Sequence, residues 1–146
     1  MATVRQILNE KGNDVYSVNP DMQVINVLRV LADKGIGAVL IMEGEKVVGI
    51  FSERDYALQS AKGNLEKQDM VSKWMTRGVF YVSPNDLLET CMAQMTDKHI
   101  RHLPVVDEGK VVGIISIGDV VKSIIMQQKI TIEGLENYIL GSGLRS

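Results

Sequence analysis

One motif occurs twice in the chain: a glycine and two apolar residues, then a serine with an aspartate three residues on. It reads GIFSERD, which ends at Asp55, and GIISIGD, which ends at Asp119. An apolar run precedes each serine, so Ser52 and Ser116 are expected to begin helices. Two uses fit this spacing. One is a capping box, in which the serine accepts from the N–H three residues on and the acid bonds back. The other is a nucleotide site, where free N–H groups suit phosphate and the carboxylate accepts ribose hydroxyls. The two uses are compatible, because a capped helix start can still face a cleft.

The doubled motif belongs to a longer internal repeat. Residues 15–58 (copy one) align with residues 79–122 (copy two) without a gap, at a constant offset of 64 positions. The copy-one residues that recur identically in copy two are Val15, Val18, Pro20, Asp33, Lys34, Ile36, Lys46, Val47, Val48, Gly49, Ile50, Ser52 and Asp55. Such self-similarity indicates two equivalent structural units.

Each copy shows the same order of patterns, which predicts an α+β fold built from two β-α-β-β-α repeats. A short β-rich run and an Asn-Pro or Ser-Pro pair precede a helical pattern, with the proline expected at the first helical position. Two apolar runs joined by a charged turn then predict a β-hairpin, and the serine opens the last helix. Glycine at Gly35 suits a left-handed helix end, and His99 occupies the equivalent position in copy two. One copy alone has too small a core, so the two copies are expected to pack together through their sheets.

The chain divides into four segments on these patterns. They are residues 1–62, copy one with the lead-in helix Val4–Leu8; residues 63–78, a linker with a second lead-in helix at Gln68–Met75; residues 79–127, copy two; and residues 128–146, a helical extension. The last helical pattern is longer than its own copy needs. We therefore expect it to pack on a partner chain, which suggests a homodimer; the alternative is that it packs on its own chain.

Composition excludes several classes of protein. The net charge of −2 gives no bulk attraction to nucleic acid or to an anionic membrane. No apolar run approaches the roughly 20 residues that span a bilayer, and no segment has the pattern of a signal peptide. Two histidines and one cysteine cannot supply a usual four-ligand zinc site. The single Cys91 lies in an apolar helical pattern and is expected to be buried, which suits a reducing, cytoplasmic location.

The repeat, the doubled motif and the stretch His99–Asp107 (HIRHLPVVD) resemble a tandem pair of CBS domains, the modules named after cystathionine β-synthase. The resemblance covers roughly residues 3–127 of what would be a stand-alone CBS pair. It implies two copies related by a pseudo-twofold axis, with two clefts that hold adenosine compounds. In the family the motif aspartate holds ribose, which implies Asp55 and Asp119 as ligands with Ser52 and Ser116 beside them. Residues just before the Leu-Pro-Val strand often contact phosphate, and here these are Arg101 and His102, which are expected to serve the cleft of Asp55.

The copies differ at these positions, so the clefts cannot be equivalent. Gly37 and Ala38 stand opposite Arg101 and His102, and Arg54 stands opposite Gly118. Arg54 is a further candidate contact, although solvated surface explains it equally well. His102 is either a phosphate contact or a local structural group. If it contacts phosphate, affinity should rise as the pH falls through about 6.5, the ordinary pKa of histidine.

The function implied is a non-catalytic regulatory sensor of adenine nucleotides. AMP is the first candidate ligand, with ATP, NAD and S-adenosylmethionine as alternatives. An enzyme is disfavoured, because the chain lacks a phosphate-binding Gly-x-x-x-x-Gly-Lys-Ser/Thr loop and a His-Glu-x-x-His motif. Its output would pass to an unidentified target protein. The alternative is a dimerisation scaffold that binds no ligand.

Overall fold

The chain forms an α+β structure in which the two copies repeat one element order. This computed structural model describes residues 2–144. The helices are α1 (Val4–Lys11), α2 (Val24–Lys34), α3 (Glu53–Ala61), α4 (Leu88–Lys98) and α5 (Ile117–Leu144), and a 3-10 turn spans Val71–Lys73. The strands are β1 (Ser17–Val18), β2 (Ala38–Glu43), β3 (Lys46–Ser52), β4 (His102–Asp107) and β5 (Lys110–Ser116). The predicted fold class and repeat are confirmed.

The two hairpins pair in the same register. In copy one β2 and β3 run antiparallel from Ala38 opposite Ser52 to Glu43 opposite Lys46, with a bulge after Ile41. In copy two β4 and β5 pair in the equivalent way, with a bulge after Val105. The parallel strand β1 completes the copy-one sheet, whereas in copy two only Val82 bridges to β4. Each hairpin ends at a motif serine, so the helix that follows it begins at the equivalent position of its own sheet in both copies.

Two buried cores lie under these sheets, and each takes apolar side chains from the lead-in segment of the other copy. The copy-two core includes Val4, Ile7 and Leu8 of α1. The copy-one core includes Val71 and Met75 of the linker. Val4–Leu8 therefore precedes copy one in the chain but packs on copy two. The division predicted from the sequence grouped this segment with copy one, in residues 1–62.

Backbone bonds fix this exchange of lead-in segments. Val4 N–H donates to the Asp86 carbonyl, and Val71 N–H donates to the Met22 carbonyl, which is the equivalent position in copy one. The linker segment winds only one 3-10 turn, so the helix predicted over Gln68–Met75 was wrong in length.

The structure also tests the predicted start of α2, the predicted end of α4 and the length of α5. Pro20 lies in a turn, with Asp21 N–H bonded to Asn19 Oδ1, and α2 begins only at Val24; the prediction of proline at the first helical position was wrong. His99 adopts the left-handed conformation (φ 55°) that Gly35 adopts in copy one (φ 63°), as expected. Helix α5 continues through Gly134 to Leu144. Within residues 2–144, no helix combines the length and apolar character needed to cross a bilayer.

Candidate functional site

Both motif aspartates close a capping box at the start of a helix. Ser52 N–H donates to Asp55 Oδ2 at 2.9 Å, and Asp55 N–H donates to Ser52 Oγ at 3.1 Å. The Ser116 and Asp119 pair makes the same two bonds at the same distances. The structural role expected for the motif is therefore confirmed. Each carboxylate accepts its bond from the serine N–H through Oδ2, and among the described residues Oδ1 has no hydrogen-bond partner and can accept from a ligand.

The two carboxylates differ in a third contact, which the sequence did not reveal. Lys11, at the end of α1, donates from Nζ to Asp119 Oδ2 at 2.6 Å and to the Ile114 carbonyl at 2.9 Å. Among the residues that the structure describes, no lysine or arginine pairs with Asp55 in this way. Burial by itself would raise the pKa of Asp119, but the hydrogen bonds from Lys11 and from Ser116 N–H outweigh it and hold the pKa below its ordinary value.

A cavity of about 390 Å³, the Asp119 cleft, lies beside this ion pair. Copy two contributes Ser116 and Asp119 to its wall, and the end of α1 contributes Lys11. Copy one faces them across the cavity with Tyr16 and with residues 35–38, the turn from α2 into β2. A ligand here would contact both copies and α1 at once.

A second cavity, the Asp55 cleft, measures about 120 Å³. It brings together five of the residues selected from the sequence: Ser52, Arg54, Asp55, Arg101 and His102. Arg101 and His102 of copy two therefore line the same cavity as Asp55 of copy one, and their contact with a ligand stays a prediction. Arg54 also reaches across the copies, where its Nη1 lies 3.4 Å from the His99 carbonyl.

The two clefts differ in volume because different side chains face the serine and aspartate of each copy. Residues 99–102 (HIRH) line the Asp55 cleft, and residues 35–38 (GIGA) line the Asp119 cleft at the equivalent position. Two glycines and an alanine therefore leave open the space that two histidines and an arginine occupy in the other cleft. Ser116 and Asp119 thus line the larger cleft. Ser52, Arg54, Asp55 and Arg101 line the smaller one, and His102 lines both.

His102 is the side chain that lines both clefts. A Cβ atom at Gly37 would lie 3.2 Å from His102 Nε2, so the glycine allows the imidazole to approach the backbone of copy one. Burial lowers the pKa of His102 below its ordinary value, and the charge of Lys11 adds to this effect. Asp119, Glu53 and Asp55 oppose it. Burial therefore favours the neutral imidazole in the free protein, whereas the three carboxylates, and an anionic ligand beside them, favour the protonated form.

Sequence reasoning missed Lys11 and Tyr16 as residues of the larger cleft. Tyr16 aligns with Phe80, so a paired aromatic position was a signal that could have been followed. Lys11 lies outside the aligned copies, and its place depends on α1 packing against copy two. Among the described residues, no group of three or more His, Cys, Asp or Glu side chains could hold a metal ion.

The fold and its paired clefts define a tandem-repeat α+β protein in which each cleft is shared between two copies. A model of the CBS domain matches residues 4–59 and 71–126, and the chain belongs to the CBS domain family. The crystal structure of the CBS domain NE2398 is 46% identical with a TM-score of 0.80, and the match covers 85% of this chain and 98% of that one.

Two further relatives support this placement. The CBS-domain containing protein ATU1752 from Agrobacterium tumefaciens is 39% identical with a TM-score of 0.80, over 84% of this chain and 98% of that one. The mitochondrial CBS domain-containing protein CBSX3 of Arabidopsis thaliana is 28% identical over 95% of this chain and 72% of its own length.

Crystal structures of two more distant relatives contain adenosine compounds. CBSX2, 25% identical with a TM-score of 0.70 over 88% of this chain and 99% of that one, is in complex with AMP. The CBS domain pair of protein MJ0100, 22% identical with a TM-score of 0.76 over 87% of this chain and 98% of that one, is in complex with 5′-methylthioadenosine and S-adenosyl-L-methionine.

Proposed function

We propose that this protein is a non-catalytic regulatory module that binds one adenosine compound in the Asp119 cleft. The observation that carries the proposal is the cavity of about 390 Å³ next to the Asp119 carboxylate. Pockets for small molecules and cofactors usually measure about 300–1,000 Å³, so this cavity has the size of a nucleotide site. The Asp55 cleft, at about 120 Å³, falls below that range in this conformation.

The side chains of the Asp119 cleft suit the parts of a nucleotide. Asp119 Oδ1 can accept the vicinal ribose hydroxyls while Oδ2 keeps its capping bonds. Ser116 can bond to ribose or phosphate, and the Tyr16 ring offers an apolar surface for a base. His102 would face the phosphate and become a charged donor when protonated.

Arg54 and Arg101 then lie on the far side of His102, in the Asp55 cleft. We assign them to the anionic end of a longer ligand, since guanidinium groups bind phosphate through two parallel N–H donors. Ser52 and Asp55 would bind a second nucleoside only if these side chains moved aside. The crystal structure of CBSX2 with AMP supports AMP as the first candidate. ATP, NAD and S-adenosylmethionine remain alternatives within the same class.

Regulation would follow from the position of the ligand between the copies. A molecule that contacts residues 35–38, His102 and Asp119 favours the arrangement in which both copies reach it. The shift would be transmitted to an unidentified target protein. A cytoplasmic location and the absence of a nucleic-acid or membrane role remain parts of this proposal.

Calorimetry of the purified chain against AMP, ATP, NAD and S-adenosylmethionine tests the proposal. Asp119→Ala should weaken binding roughly ten- to a hundred-fold, the loss of one charge-assisted hydrogen bond or slightly more. Asp55→Ala is the matched control, because it removes an equivalent capping box, and it should change affinity less than about twofold. If Asp55→Ala weakened binding and Asp119→Ala did not, the ligand would be assigned to the Asp55 cleft. Wild-type protein that binds none of the four compounds would refute the proposal.

The exposed part of α5 favours a second function, assembly with another copy of the chain. The side chains of Ile130, Ile132 and Leu135 are each more than half exposed, on a helix that extends beyond the family match at residue 126. Apolar groups in this number on an unsupported helix are costly in water, so a second copy that covers them would stabilise α5. Ile132→Glu should dissociate a homodimer in sedimentation velocity, whereas Leu58→Glu, at an exposed position of α3, should not.

A further inference from the structure

Lys11 is the lysine of the Asp119 cleft, and like Gly12 and Asp14 of the same wall it precedes both aligned copies. It lies at the end of α1, which reaches copy two only through the exchange of lead-in segments. Leu8, one turn earlier, fits against Gly113, where a Cβ atom would stand 2.5 Å from its Cδ2. Arg5 also bonds to Asn85 Oδ1 at 3.1 Å. This packing fixes where the lysine side chain emerges.

The ammonium group is held at the wall of the cavity by two acceptors. Lys11 Nζ lies 2.6 Å from Asp119 Oδ2 and 2.9 Å from the Ile114 carbonyl oxygen. The side chains of Lys11 and Asp119 are 37% and 27% exposed, so their charges are only partly screened by water. The third ammonium hydrogen has no acceptor among the described residues. It is available to a ligand in the cavity.

Charge balance in the cleft depends on this contact. An unpaired Asp119 carboxylate would attract ribose hydroxyls but repel a phosphate on the same ligand. With Lys11 bound, the pair of Lys11 and Asp119 is close to neutral, and the ammonium can attract the phosphate against the remaining negative charge of Asp14, which lines the same cleft. The Asp55 cleft obtains its positive charge from Arg54 and Arg101 instead. The two clefts therefore acquire cations from different sources.

We propose that Lys11 determines ligand specificity in the Asp119 cleft by favouring adenosine compounds that carry a negative charge over neutral ones. This inference rests on the proposed function, since it concerns the ligand of the same cleft. It adds to the site a residue outside both aligned copies, and this residue distinguishes charged from neutral ligands, which the motif aspartate cannot do. A lysine at the wall acts as a point charge, so its effect depends on ligand charge more than on ligand shape.

The test compares AMP with 5′-methylthioadenosine, which has the same adenine base and the same 2′ and 3′ ribose hydroxyls but an uncharged methylthio group in place of the 5′ phosphate. Affinities are measured by calorimetry at low salt for the wild type, Lys11→Met, Lys11→Arg and Lys122→Met. Lys122 is the matched control, because it lies near Asp119 in an adjacent groove and is not part of the wall of the Asp119 cleft. Its removal changes the net charge by the same amount.

We expect Lys11→Met to weaken AMP binding roughly ten-fold or more and to leave 5′-methylthioadenosine within about twofold. Lys11→Arg should keep most of the preference for AMP, and Lys122→Met should keep all of it. Equal weakening of both ligands by Lys11→Met would overturn the inference and make Lys11 a structural residue. Stronger binding of both would also overturn it, because Lys11 would then compete with ribose for Asp119. If the wild type bound neither compound, the proposed function itself would fail.

Discussion

The side chain of Leu8 lies so close to Gly113 that a Cβ atom on the glycine would stand 2.5 Å from Leu8 Cδ2. Met75 has the same relationship to Gly49, with its Sδ 2.5 Å and the Thr76 carbonyl oxygen 3.0 Å from such a Cβ. Both glycines belong to the doubled motif. They are required because a lead-in segment packs directly on the last strand of each hairpin.

Alanine at either glycine should destabilise the fold through overpacking. We expect a loss of roughly 1–3 kcal/mol in the free energy of unfolding, measured by urea denaturation. Gly49→Ala should cost more than Gly113→Ala, because a backbone oxygen cannot yield as the end of a leucine side chain can. Gly118→Ala is the control, since a Cβ there has its nearest contact at 3.6 Å; it should be neutral or stabilising. Equal effects at all three positions would contradict this account.

The ion pair between Lys11 and Asp119 should make stability depend on acid pH. The pKa of Asp119 is lowered in the folded protein, so its contribution is present above about pH 3.9, the ordinary aspartate value, and is lost as the pH falls through the folded pKa. Lys11→Met should unfold at lower urea concentration than the wild type at pH 7. The difference should shrink below pH 4. A difference that stays constant down to pH 2 would assign the effect to packing alone.

His102 should make the folded state less stable in mild acid. Because burial lowers its pKa, the unfolded chain takes up the proton first, and stability falls as the pH drops from about 6.5 to the folded pKa. His102→Asn should reduce this slope in urea titrations between pH 7.5 and 5, with His99→Asn as the comparison. An unchanged slope would mean that His102 is solvated.

The same shift changes the expected pH dependence of ligand binding. If His102 contacts phosphate, affinity for AMP should rise below pH 6.5, because the free protein holds the imidazole neutral until the pH is lower. Calorimetry at pH 8, 6.5 and 5.5 measures this rise, and His102→Asn should remove it. Affinity that is the same at pH 8 and 5.5 in the wild type would exclude His102 as a phosphate contact.

Cys91 should be unreactive until the copy-two core opens. The thiol is fully buried, and burial raises its pKa to about 11. Labelling with a thiol reagent at pH 8 should therefore follow the urea unfolding curve. Fast labelling of the native protein would show that this core opens locally at little cost.

The repeat and the identity of most secondary-structure elements were available from the sequence, because they depend on local interactions. Two apolar runs joined by a charged turn define each hairpin, and a serine that directly follows the second run, with an aspartate three residues on, defines the start of α3 and of α5. The left-handed conformation of Gly35 and His99 at the ends of α2 and α4 could likewise be predicted, because each residue directly follows an apolar helical pattern. The pairing of Arg101 and His102 with Asp55 came from the family resemblance rather than from spacing.

Tertiary structure decided which lead-in segment covers which core and how large each cleft is. Nothing in the local sequence around Val4, Ile7 and Leu8 indicates that they pack on copy two. Their packing depends on the shape of a groove formed by residues far along the chain. The same holds for Lys11, whose contact with Asp119 spans 108 positions. Local patterns determine how a segment folds, whereas long-range packing determines what it touches, and the chemistry of a cleft depends on the second.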